Sequence, residues 1–299
     1  MTRPLPATLF SPLRLGAFAL AHRVVMPAMS RGRASAAGVP SATMARYYGA
    51  RATAGGMIIC EACAVSQHAA RPHAPGLFTA EQVNHWQQVT RAVHDRGGIV
   101  LAQLDHGSRW TRADDEPPRR DDVALDMAML AYRNAAEHAG DAGFDGVELL
   151  VAHGALPEPV VDRATDDGGD EFLGALTGTL ANVWGSDRVG ICLSPGDDAR
   201  RLAGYTDTVR AWHHEAFAFV HVMDDVPATP LRTRASTALR PASPDGLLVS
   251  GGHTRDTALA SVEHGDADAI GFGRAFVANP DLVDRLRDGT ELTRPHDMR

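Results

Sequence analysis

The segment LLVSGGHTRDTALASVEHGDADAIGFGRAFVANPDL, residues 247–282, decides the fold. Leu247 to Ser250 is a short apolar run of strand type that stops at the pair Gly251-Gly252. An amphipathic stretch follows at 255–264 and leads into a second apolar run, Ala269 to Phe272, which ends in GFGRAF. Strand, helix and strand at this spacing imply parallel neighbours joined by a crossover helix. Glycines at both strand ends free backbone N–H groups to approach a phosphate, and a short helix beyond the second strand adds its N-terminus. Gly251, Gly252, Gly273 and Arg274 form that candidate phosphate site; plain turn glycines are the alternative reading.

The same rhythm runs through the rest of the chain. Strands are expected near 23–29, 56–65, 98–106, 146–153, 188–195, 217–224, 246–251 and 269–272. Helical periodicity lies between them at 41–54 (Ser41 as N-cap), 80–96, 126–142 and 255–264. Eight strands of buried type alternating with helices predict an α/β protein: a single (β/α)8 TIM barrel occupying 1–299 as one domain. A doubly wound open sheet is the alternative, but no G-x-G-x-x-G opens the first helix. Two irregular stretches, 106–122 and 162–171, follow strand ends on the face where such barrels carry their chemistry.

Composition removes several function classes. A net charge of −8 without a basic stripe argues against a nucleic-acid partner. No apolar run reaches membrane-spanning length, and the N-terminus lacks the apolar core of a signal peptide. Three cysteines (Cys60, Cys63 and Cys192) build no disulfide framework, so a cytoplasmic protein with reduced thiols is expected. All 29 basic residues are arginine. The absence of lysine excludes imine-forming mechanisms.

Several side chains are candidates for chemistry. QLDHGSRW (103–110) places Gln103 and Asp105 on one strand face and His106 on the other, with Arg109 beyond. Asp105 and His106 suit an acid–base pair; capping the strand is the alternative. In AGFDGVELLVAHGALPEP (142–159), a strand delivers Glu148, Leu150 and His153 to its end, then breaks at Gly154 and two prolines. CEAC (60–63) reads as core packing, since residues three apart in a strand face opposite ways, and no metal site is expected. His213-His214 and the acidic run 114–116 read as solvent-facing.

In order along the chain, LFSPLRLGAFALAHRVVMPAMSRGRA (9–34), ARYYGARATAGGMIICEACAVS (45–66), PGLFTAEQVNHWQQVTRAVHDRGGIVLAQLDH (75–106), AGFDGVE, GSDRVGICLSP (185–195) and the SGG…GFGRAFVANPDL tail carry a family likeness. The chain resembles the old yellow enzyme family of FMN-dependent ene-reductases. The resemblance implies a barrel with FMN across its mouth, reduction by NAD(P)H, and hydride transfer to an activated alkene. It implies the phosphate site already named, strand-one contacts at Ala28, Met29 and Ser30, flavin-facing positions at Ala62 and Gln103, and a homodimer.

The reacting end departs from the family pattern. The substrate-anchoring H-x-x-N-x-Y reads L-x-x-H-x-A here, as Leu150, His153 and Ala155. The arginine expected at the flavin edge is Cys192, and the tryptophan of Q-L-W-H is Asp105. The excursions after strands three and four are shortened. Losing one donor to a developing oxyanion usually costs ~10²–10³ in rate, so combined losses weaken the usual route. The first expectation is therefore a redox-neutral reaction (isomerisation, cyclisation or dehydration) on a largely apolar small molecule of specialised metabolism. Asp105, His106, Glu148 and His153 are its acid–base candidates; Leu150, Ala155, Cys192 and Arg109 line its pocket, with FMN bound or the barrel cofactor-free. The alternatives are an FMN-dependent oxidoreductase with a modified anchor and a non-catalytic regulatory paralogue.

Overall fold

The computed structural model describes residues 7–107, 123–152, 169–195, 199–223, 234–243 and 246–294. An antiparallel hairpin, β1 (Leu13–Leu15) and β2 (Phe18–Leu20), comes first. Then follow β3 (Val24–Met26), β4 (Met57–Ile59), β5 (Cys63–Ala64), β6 (Ile99–Asp105), β7 (Gly146–Val151), β8 (Val189–Leu193), β9 (Phe219–Met223), β10 (Leu247–Ser250) and β11 (Ala269–Gly271), all in parallel register. Pairing of β11 with β3 and of β4 with β6 closes an eight-stranded ring, the (β/α)8 barrel expected from the strand rhythm. Each strand recognised by its apolar run is present. The hairpin was not anticipated, because three-residue strands carry too little periodicity to register.

Side chains alternate between two environments. On β10, Leu247 and Val249 join the main core between barrel and helices, while Leu248 and Ser250 face the barrel interior. The lower interior is apolar: Val25, Met57, Leu101, Phe219, Leu248 and Ala269 pack with Leu15, Phe18 and Leu20 of the hairpin, which plugs the N-terminal mouth. Two glycines make room for the rings. A Cβ on Gly190 would lie 2.3 Å from Phe219 Cζ, and one on Gly146 2.7 Å from Phe18 Cζ. At the same end, Asp145 accepts from Val100 N–H and Asp268 from Leu247 N–H, each at 2.8 Å, tying loop to neighbouring strand.

One expected strand is broken. Ile59 pairs with Leu101 but Cys63 pairs with Leu104, so four steps on one side face three on the other. The extra residue is a bulge, and it resets the alternation. Cys60 and Cys63 therefore both enter the helix-side core, instead of facing opposite ways as an unbroken strand would require. They are packing residues, as expected, and burial pushes both thiols well above their ordinary pKa.

Helix ends follow the capping signals in part. Thr79 with Gln82 and Thr254 with Thr257 form reciprocal capping boxes. Ser41 has the extended backbone of an N-cap residue, but its side chain makes no capping bond and the helix runs only from Ala42 to Gly49. The helix read at 126–142 already begins at Val123. Among the described residues, no helix is long and apolar enough to cross a membrane.

Two predictions follow from this packing. Gly190→Ala forces a methyl into the Phe219 ring and should cost about 1–3 kcal/mol by overpacking. Gly178→Ala, on an exposed helical position with open space around it, should stabilise by about 0.5–1 kcal/mol. Urea unfolding of both variants measures the contrast.

His22 sets a pH dependence. Its Nδ1 accepts from Val24 N–H at 3.3 Å, so Nε2 carries the proton donated to Thr53 Oγ1 at 2.9 Å. Burial, then Arg287, holds its pKa below the ordinary 6.5. The unfolded chain thus binds the proton first, so this contribution is present above pH 6.5 and fades as pH falls below it. Unfolding at pH 7.5 and 5.5 should show a smaller loss of stability on acidification in His22→Gln than in the parent. Equal losses would contradict this.

Candidate functional site

At the C-terminal ends of β3, β10 and β11 lies a cleft of about 610 Å³. Its wall brings together Ala28, Gly251, Gly252, Gly273 and Arg274, all expected from the sequence at one site. Gly251 at φ 142° and Gly252 at φ 62° turn the chain through conformations that side chains resist. A Cβ on Gly273 would sit 2.7 Å from Met29 Sδ, another lining atom, and would displace that side chain within the wall. The short helix Gly273–Ala278 is anchored from behind by Arg51. Its buried guanidinium donates to Phe276 O at 2.8 Å and Val277 O at 2.9 Å. Ser30 is exposed and does not line the cleft.

Beneath the cleft, the barrel interior turns polar for one layer. Gln103 on β6 donates through Nε2 to Glu148 Oε1 on β7 at 2.7 Å. Glu148 Oε2 lies 2.9 Å from His221 Nδ1 on β9, and His221 Nε2 lies 2.8 Å from Ser250 Oγ on β10. All four residues are buried, Glu148 and His221 completely. Only Ser250 of the four lines the cleft. Neither His221 nor Ser250 was singled out from the sequence. The signal was there: alternation along FVHVM puts Phe219, His221 and Met223 on the interior face.

The next interior layer is apolar again: Leu150, Ala152 and Cys192, with Ala62 and Met223 packed against them. Leu150 and Cys192 stand directly opposite each other on β7 and β8. Burial, then the charge of Glu148, pushes the Cys192 thiol well above its ordinary pKa, so it presents as a neutral, poorly nucleophilic group. Donor atoms of Glu148, Cys192 and His221 lie within 4.8 Å of one another, the one described group with metal-ligand spacing. Glu148 and His221, however, direct their polar atoms at each other, Gln103 and Ser250.

The other sequence candidates are placed differently. Asp105 is buried and accepts from Arg71 and, at 2.7 Å, from Gly107 N–H, so it caps the strand end and holds the loop from 66. His106 does not join it in a hydrogen-bonded pair: its Nδ1 is buried with no partner among the described residues, and its ring lies 5.9 Å from that of Tyr132. Burial lowers the His106 pKa. His153, Ala155 and Arg109, together with the stretch 108–122, lie outside the described residues. A residue absent from the sequence reading is Glu61, which accepts from Arg31 N–H at 2.9 Å and from Tyr48 OH at 3.3 Å. Burial raises its pKa.

Comparison with known proteins bears on the cleft. The family described as NADH:flavin oxidoreductase / NADH oxidase matches residues 8–131 and 125–293. A protein named 12-oxophytodienoate reductase 7 from Oryza sativa subsp. japonica is 31% identical over 360 residues, covering 96% of this chain and 91% of the relative. Flavin oxidoreductase hxnT of Emericella nidulans is 31% identical, with 96% and 92% covered. Among solved structures, the old yellow enzyme homologue of Zymomonas mobilis superposes with a TM-score of 0.86 at 30% identity, over 96% of this chain and 94% of that one. Morphinone reductase in complex with tetrahydroNAD gives a TM-score of 0.82 at 28% identity, over 97% and 93%.

The polar layer makes a quantitative prediction. Glu148→Ala leaves two buried N–H donors facing a void and should cost about 3–5 kcal/mol. Glu148→Gln keeps an acceptor for one of them and should cost about 1–2 kcal/mol. Urea denaturation checks the ordering, and equal stabilities would contradict it.

Proposed function

Because the chain belongs to the NADH:flavin oxidoreductase / NADH oxidase family, within its old yellow enzyme branch, we propose that it is an FMN-dependent enzyme that uses NAD(P)H to reduce an activated alkene in a largely apolar small molecule. The observation that carries this reading is the cleft wall: Gly251, Gly252 and Gly273 backed by Arg274, in one open pocket. The cofactor fits what is present. A volume of about 610 Å³ lies within the ~300–1,000 Å³ of ordinary cofactor pockets. The side-chain-free face at Gly273 and the cation Arg274 suit a phosphate end.

Bound there, FMN supplies the hydride chemistry. The chain's own residues do the rest. The glycines let backbone approach the phosphate, and Arg274 contributes charge. Met223 lines the cleft and packs on Leu150, Ala152 and Cys192, so it offers the substrate an apolar contact backed by a dry layer. With Leu150 where the resemblance expects a histidine, carbonyl or nitro anchoring falls to His153.

A second reading rests on the same apolar layer. Leu150 and Cys192 remove polar anchors from the mouth, which favours a redox-neutral isomerisation, cyclisation or dehydration on this scaffold. The two separate by product mass, since alkene reduction adds two hydrogens and isomerisation adds none.

The expected outcome is a protein that purifies yellow, with near-stoichiometric FMN bleached by NADPH under anaerobic conditions. Arg274→Ala should weaken FMN about tenfold while leaving riboflavin affinity unchanged, the signature of one charge-assisted phosphate contact. A colourless protein that binds no FMN at micromolar concentration would sink the proposal.

A further inference from the structure

Ser250 is the point where the buried polar layer meets the cleft, and the layer decides which way its proton points. An ionised carboxylate only accepts hydrogen bonds. As a carboxylate, Glu148 would take the Gln103 Nε2 proton on one oxygen at 2.7 Å and an Nδ1 proton of His221 on the other at 2.9 Å. A neutral imidazole protonated on Nδ1 has only a lone pair on Nε2. The 2.8 Å contact to Ser250 is then closed by the serine's own hydrogen. With the ring in that tautomer, Ser250 Oγ would keep two lone pairs and no free proton for whatever occupies the cleft it lines.

We infer that Ser250 is an acceptor-only recognition group, fixed in that polarity by His221 and Glu148 acting as positioning residues, and that it selects a hydroxyl donor on the bound molecule. Resting on the FMN reading above, the donor class is the ribityl hydroxyls, not the phosphate, whose oxygens need donors. The inference divides the cleft by chemistry: Arg274 and backbone N–H groups face anionic oxygen, and Ser250 faces hydroxyl. A serine in the reverse polarity would serve the phosphate instead, so the orientation of one imidazole sets the site's preference.

Binding and nitrogen NMR test this together on the full chain. Fluorescence titrations with FMN, riboflavin, lumiflavin and inorganic phosphate compare the parent with Ser250→Ala and Glu148→Gln. Ser250→Ala should weaken FMN and riboflavin by a common factor of about five to ten, as for one lost neutral hydrogen bond, and leave lumiflavin and phosphate unchanged. Long-range 15N–1H spectra of the flavin-free protein should show the His221 ring protonated on Nδ1 alone, and Glu148→Gln should disturb that state and weaken riboflavin in parallel. An Nε2-protonated or doubly protonated ring overturns the inference, as does unaltered riboflavin affinity in Ser250→Ala or an equal loss for lumiflavin. A parent protein that binds neither FMN nor riboflavin overturns the FMN reading and the donor assignment with it. Normal parental binding with a silent Ser250→Ala overturns only this inference.

Discussion

A carboxylate with no exposure to water, Glu148, is the constraint around which the barrel is arranged. Burying such a group costs several kcal/mol unless each oxygen finds a donor. Here the donors come from neighbouring elements, Gln103 on β6 and His221 on β9, and His221 is met in turn by Ser250 on β10. A slip of one residue in β6 or β9 would turn a donor toward the helices and strip one carboxylate oxygen of its partner, and a slip in β10 would do the same to His221 Nε2. The polar layer therefore fixes strand register in a part of the barrel where apolar packing alone would tolerate alternatives.

That register has consequences at both ends. Below, the interior closes on Phe219 and the hairpin residues Leu15, Phe18 and Leu20, packed through the space left by Gly146 and Gly190. Above, it returns to apolar at Leu150, Ala152 and Cys192. Among the described residues, the cleft meets this apolar layer through Met223, which packs against it, and the polar layer through Ser250. The polar groups that line the cleft lie, among the described residues, along the wall formed by β10 and β11.

Much of the fold was legible because buried parallel strands write themselves as apolar runs; all eight ring strands were found this way. The glycine wall of the cleft was legible because Gly251 and Gly252 turn the backbone through positive φ, and such a requirement survives in sequence. The bulge between Ile59 and Cys63 was not legible, since nothing local marks one extra residue; only its partner strand reveals the count. Asp105 beside His106 suggested a catalytic pair by adjacency, yet the strand ends there and Asp105 turns to Arg71 and Gly107. Glu148 and Gln103 were noticed separately, but their meeting with each other, and with His221 and Ser250, was not legible, because the four lie on separate strands and come together only on closure. The redox-neutral expectation rested on absent polar groups at Leu150 and Ala155, a weaker ground than the intact wall.

The central claim is that this wall holds the phosphate end of FMN while Ser250 meets its sugar-alcohol chain. A crystal structure of the protein grown with FMN tests it most directly. The account predicts the phosphate against Gly251, Gly252, Gly273 and Arg274, with a ribityl hydroxyl within hydrogen-bond reach of Ser250 Oγ. Phosphate density elsewhere in the barrel mouth, or an FMN-soaked crystal with this cleft holding only water, would contradict it.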